Sequence, residues 1–304
     1  LVGTVLTYMG VSEVRVTAIV FMCAAMSAAA PPINLWAMMA AAGSNMPYVG
    51  FFLPLGVLSV LGALFSMFYL GWRGTPIDLE QIMTELPKPP RGMRWWKVVV
   101  PFVVLFGLIA AGRVWPWAMP VLGLPLMFMI AAAIVVLTNL GQLKLIKVIS
   151  DTVEQLLPLV GVMVVVGILV QVMALSGARG LISLSIVTMP LVAIFATLFI
   201  ILPVSEGLIQ YAVAPLIGVP LILLFNMKGF NPIIALAGMA AMWPVGDMLP
   251  PTSVVGRATV MILGFKGRYY SGFAKTCLVP AAFVLLLGSL FVVFSSRLGF
   301  LVGG

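Results

Sequence analysis

Residues 229–264 read GFNPIIALAGMAAMWPVGDMLPPTSVVGRATVMILG, an apolar stretch long enough to cross a membrane but interrupted by Pro250-Pro251. Residues 10–43, GVSEVRVTAIVFMCAAMSAAAPPINLWAMMAAAG, repeat the arrangement. Gly10 stands 21 residues before Pro31, and Gly229 stands 21 residues before Pro250. Identities between the copies are few: the glycines, Ala18 with Ala237, and the two proline pairs. Broken apolar segments at matching places in two halves of a membrane protein point to a transporter's binding site. A simple kink of each helix against its neighbours is the alternative, and it is common in membrane spans.

The composition fixes the class. With 63% hydrophobic and 8% charged residues, the chain would expose too much apolar surface to remain a soluble globule. The 16 Lys and Arg outnumber the 8 Asp and Glu, but they stand singly at the ends of apolar stretches and form no basic face with interleaved aromatics. They are topology signals, not a nucleic-acid surface. Cys23 and Cys277 lie in or beside apolar segments, there is no histidine, and no CxxC or HExxH spacing occurs, which argues against a disulfide framework or a catalytic metal. No nucleophile, base and orienting residue fall together, so an enzyme is not expected. The chain begins at Leu1 without a signal-peptide pattern, and we expect it to be part of a longer protein.

The expected fold is all-α, a polytopic helical membrane protein of inverted repeats with Pro-Pro broken helices and at least one re-entrant hairpin. The apolar stretches are residues 14–42 (broken), 49–72, 98–111, 118–140, 153–175, 181–202 and 208–225 (two arms joined by Pro203-Val204-Ser205-Glu206-Gly207), 232–263 (broken) and 276–294. GQLKLIK, after residue 140, reads as an interfacial amphipathic stretch. These divide the chain into a first repeat over residues 1–72, a cytoplasmic connector over 73–97, linking spans over 98–150 and a second repeat over 151–304. Trp95 and Trp96 anchor the end of the connector at the interface.

Counted from a cytoplasmic start at Arg15, eleven basic residues fall inside: Arg15, Arg73, Lys88, Arg91, Arg94, Lys97, Lys144, Lys147, Lys266, Arg268 and Lys275. Four fall outside: Arg113, Arg179, Lys228 and Arg297. That bias obeys the positive-inside rule. It also sends the first broken segment outward and the second inward, so the two proline pairs should meet near mid-membrane about a two-fold axis in its plane.

Each proline lacks an N–H and pushes away the carbonyl four residues earlier, namely those of Ser27 and Ala28 in the first copy and of Gly246 and Asp247 in the second. Such carbonyls suit a cation. Beyond each break a helix starts at Ile33-Asn34 or Thr252-Ser253, and its unpaired N–H groups suit an anion. Asp247 is the strongest candidate, because a carboxylate near the middle of a span costs about 2.5 kcal/mol or more unless paired. Arg257 is a partner for Asp247 or for a substrate carboxylate, or else it snorkels toward the cytoplasmic surface. Glu206 and Ser205 either meet the site at the tip of a re-entrant hairpin or cap a cytoplasmic turn.

GDMLPPTSVV, with LPVSEGLIQYAVAPLIG upstream, resembles the second hairpin and following broken helix of the large membrane subunit of tripartite ATP-independent periplasmic (TRAP) transporters. AAAPPINLWAMM is similar to that family's earlier Pro-Pro segment, and the order of elements between the two also agrees. The resemblance covers nearly the whole chain through short motifs, with Asp247, Pro250 and Pro251 on the second motif and Pro31 and Pro32 on the first. It implies an elevator-type, sodium-coupled importer of small organic anions in the bacterial inner membrane. It also implies a small membrane subunit and a soluble periplasmic binding protein as partners. Ile33 and Asn34 stand where that family usually has serine first. LVGTVLTYMG resembles only the last arm of a first hairpin, so one of two sodium sites is incomplete unless another chain or a preceding segment supplies the rest. A structural membrane subunit with a transporter-derived fold and no transport cycle is the alternative.

Overall fold

The computed structural model describes residues 10–48, 50–72, 94–114, 123–139 and 144–302. Among them all regular structure is helical. The first repeat contains α1 (Glu13–Ala29), α2 (Leu35–Gly43) and α3 (Phe52–Gly71). Then come α4 (Trp95–Val114), α5 (Leu124–Thr138), α6 (Leu145–Leu175) and α7 (Ala178–Thr188). The second repeat is completed by α8 (Leu191–Ile209), α9 (Val219–Met227), α10 (Pro232–Met242), α11 (Val254–Ile262) and α12 (Lys275–Val293). Among the described residues, four helical stretches are long and apolar enough to cross a membrane: Phe52–Gly71, Trp95–Gly112, Leu191–Ala212 and Tyr269–Val293. A fifth is obtained if Met163–Leu175 and Ala178–Thr188, bent by 78° at Ser176-Gly177, form one span. This is a polytopic helical membrane protein.

The chain divides into two compact units, one of Leu1–Ile82 with Met163–Gly304 and one of Met83–Val162. In the second unit α4 packs on α5 through Leu105, Met127 and Ala131, and Lys97 Nζ lies 3.5 Å from Asn139 Oδ1. Residues 73–93 of the expected connector lie outside the described residues, as do residues 1–9 of the expected hairpin arm.

In the first unit the contacts fix the direction of each helix. One end of the bundle gathers Arg15 at the start of α1, Trp72 at the end of α3 and Lys275 at the start of α12 around one groove. At the other end a Cβ on Gly50 would meet Ile233 at the start of α10 and Val302 beyond α12. Helices α1 and α10, the matching first arms of the broken segments, therefore run in opposite directions. So do α3 and α12, the spans that follow the breaks. The packing is reciprocal too: α1 packs on α3 as α10 packs on α12, and each helix beyond a break, α2 or α11, packs on the first arm of the other segment, α10 or α1. Two-fold related halves produce this exchange. With lipid as apolar as leucine, close approach holds the pairs together. Gly238 of α10 and Gly288 of α12 meet backbone to backbone, where a Cβ on either would come within 2.6 or 2.8 Å of the other's carbonyl.

Several boundaries differ from those expected. The stretch over 98–111 is a full span, Trp95–Gly112. Of GQLKLIK, residues 141–143 lie outside the described residues, and Leu145–Lys147 open α6, which runs unbroken through the expected span over 153–175. The arm over 181–202 is split at Met189-Pro190, between α7 and α8. Most consequentially, Pro203–Gly207 is no turn. Helix α8 continues through it to Ile209, and the chain reverses at Gln210 (φ +49°). A single proline removes one amide, whereas unwinding five residues among apolar neighbours would strand several backbone groups, so the helix persists. Phe195 of α8 and Phe225 of α9 stack at 5.7 Å, so the arms are the two legs of a hairpin.

Candidate functional site

Both breaks are built alike. In each, a 3₁₀ contact takes up the carbonyl expected to be free: Ala30 N donates to Ser27 O (3.2 Å) and Leu249 N to Gly246 O (2.8 Å). Both proline pairs are joined by cis peptides. The residue three beyond the first proline then reaches back over the break. Asn34 Nδ2 donates to Ala29 O (2.8 Å) while its Oδ1 caps α2 by accepting from Ala37 N (2.8 Å). Ser253 Oγ donates to Leu249 O (2.7 Å). Thr252 binds Gly207 O through both its hydroxyl (2.8 Å) and its amide (3.3 Å). Asn34, Thr252 and Ser253, candidates for the substrate, thus spend these groups on holding the breaks. Ser27 and Gly246, candidates for the cation, have their carbonyls engaged, because a tightened last turn satisfies them without a ligand.

One carbonyl per break escapes this repair. Ala28 and Asp247 each have proline at both the third and the fourth following position, so no local amide can reach them. The two differ in setting, since Ser27 and Ala28 are exposed whereas Gly246 and Asp247 are buried.

Around Asp247 the structure assembles an acidic centre. Helix α8 packs against the 3₁₀ turn Trp243–Met248. The fit depends on Gly246, where a Cβ would collide with the Pro203 carbonyl and come within 2.8 Å of Glu206 Cβ. A Cβ on Gly207 would likewise meet Leu249 Cβ at 2.9 Å. Glu206 is fully buried, and its Oε2 accepts a 2.8 Å hydrogen bond from Trp36 Nε1, on α2 just beyond the first break. Its Oε1 has no partner among the described residues. The ring of Tyr211 lies against Trp36, with centroids 4.9 Å apart. Asp247 is only 4% exposed, and its carboxylate makes no hydrogen bond or ion pair with any described residue.

The other candidates stand apart. Ser205 is buried, but its hydroxyl donates to Leu202 O (2.8 Å) within its own helix, the usual back-bond of a helical serine. Arg257 is exposed on α11 and forms no ion pair with Asp247, because it lies beyond the break on a face turned to the surroundings. Pro31 and Pro32 are half-buried and Pro250 and Pro251 exposed at their breaks.

Sequence reasoning missed Trp36 and Tyr211. A tryptophan inside an apolar run carries no mark that its N–H faces a carboxylate rather than lipid. Its place four residues after Pro32, at the second residue of the new helix, was the signal available.

Two buried carboxylates, with an oxygen and a carbonyl that lack donors among the described residues, make a centre that a small cation or protons would neutralise. No known family, curated protein or solved structure matches this chain.

Proposed function

We propose that this chain is a subunit of a secondary active transporter that imports a small organic anion, a carboxylate, coupled to sodium by an elevator-type movement. One observation carries it: the inverted broken segments meet at a buried pair of carboxylates, Glu206 and Asp247, with no cationic side chain among the described residues bonded to either. Membrane-buried charge of that kind is costly and is retained where ions pass. The Asp247 carboxylate, its donor-free carbonyl and Glu206 Oε1 are the oxygens for sodium, a hard cation that takes oxygen ligands. Arg257, exposed beyond the break, offers an anion the planar fork that a carboxylate fits. A small membrane subunit, a periplasmic binding protein and the bacterial inner membrane complete the proposal.

Thermal unfolding of the purified chain in sodium chloride and in choline chloride tests the cation site directly, since a ligand that binds only the folded state stabilises it. Sodium should raise the midpoint of the wild type, and Asp247→Asn should abolish the rise while still inserting in the membrane. Equal midpoints for the wild type in both salts would favour the structural subunit without a transport cycle.

A further inference from the structure

At the end of the bundle away from Gly50 and Val302, a groove of about 680 Å³ opens between the start of α1, the end of α3 and the start of α12. That volume is in the range of small-molecule sites. Arg15 and Lys275, brought together from opposite ends of the chain, line it, and neither forms an ion pair with a described residue, Glu13 included. Two cations that share a groove repel one another until an anion joins them.

The rest of the lining is apolar and aromatic. Phe65, held by stacking on Phe283 at 4.0 Å, forms the inner wall, and Val279 lies along it. Phe68 and Trp72, 64% and 70% exposed and in edge contact at 4.6 Å, form the rim at the end of a span, where aromatic rings favour the headgroup layer. Two cations, aromatic rings and apolar side chains thus line a single groove. By the distribution of basic residues this end faces the cytoplasm, and basic pockets between helices on that side suit acidic lipid headgroups.

We propose that this groove binds an acidic phospholipid of the cytoplasmic leaflet, with its phosphate between Arg15 and Lys275 and an acyl chain along Phe65, Phe68 and Val279. The lipid bridges the first arm of one repeat to the last span of the other. Its binding is independent of any transport activity.

Native mass spectrometry of the full chain in a neutral detergent tests this, with phosphatidylglycerol and phosphatidylcholine of identical acyl chains as probes. The wild type should retain phosphatidylglycerol in preference. Arg15→Gln with Lys275→Gln should lower that retention about tenfold and leave phosphatidylcholine unchanged, as loss of two headgroup cations requires. Arg15→Lys with Lys275→Arg should keep the preference, which separates charge from misfolding. Excess inorganic phosphate should not displace the lipid. Equal retention of the two lipids by the wild type would overturn the proposal and leave the groove to another occupant, such as the acidic stretch with Asp78, Glu80 and Glu85 that follows Trp72 in sequence. Unchanged phosphatidylglycerol retention in the double glutamine variant, or full displacement by phosphate, would overturn it as well.

Discussion

The two breaks share a backbone and differ in chemistry. Each has a proline pair, a 3₁₀ contact three residues long and a polar side chain that reaches back from the far side. At the positions occupied by Ser27 and Ala28 in the first break, the second has Gly246 and Asp247. Glycine lets α8 approach until Pro203 and Glu206 touch the turn, and the aspartate brings a carboxylate into that contact. The first break, without these two residues, instead contributes Trp36 to Glu206 from its second helix. Proline pairs make the interruption, then, and the two residues three and four places earlier decide whether it becomes an acidic centre.

The sharpest way to break this comparison is Gly246→Ala. Its new methyl would strike the Pro203 carbonyl, which cannot move without unwinding α8, so we expect a loss of about 3 kcal/mol or more, seen as failed expression or a much lower melting midpoint in detergent. Ser27→Ala, at the matching position, should be almost silent. Similar behaviour of the two variants would mean that the breaks do not differ as described.

Next in size is Trp36→Phe, which keeps the apolar bulk but leaves both oxygens of Glu206 without a described donor. A cost of about 1–3 kcal/mol follows, and Trp36→Phe with Glu206→Leu should recover most of it, because removing both partners removes the unmet demand. A double-variant midpoint no higher than that of Trp36→Phe alone would deny the bond its place in the centre.

Asn34→Ala should cost about 1–2 kcal/mol, since it removes both the cap of α2 and the bond to Ala29 O. Ser253→Ala should cost only about 0.5–1 kcal/mol, because α11 receives no side-chain cap and what is lost is a bond to Leu249 O (2.7 Å) and a long one to Met248 O (3.5 Å). A reversed order of these two melting shifts would show that the second break relies more heavily on its returning side chain. The smallest effect expected is that of Arg257→Gln, within about 0.5 kcal/mol, as for an exposed residue without an ion pair. A large loss of stability there would restore an Asp247–Arg257 pair.

The sequence by itself determined the membrane class, most of the spans, the matched breaks and the opposed directions of the halves. Hydropathy, proline and the placement of basic residues are local signals, and a bilayer acts on each segment separately. It also singled out Asp247, because a charge within an apolar run is visible wherever it stands. Tertiary structure alone decided where the hairpin reverses, since the cost of unwinding Pro203–Gly207 depends on what surrounds it. Tertiary structure likewise settled which freed carbonyls find partners and that Arg257 turns away from Asp247. The bond from Trp36 to Glu206 joins residues 170 apart. No periodicity or spacing records such a contact; it exists only because two broken helices exchange their packing around glycine-sized gaps.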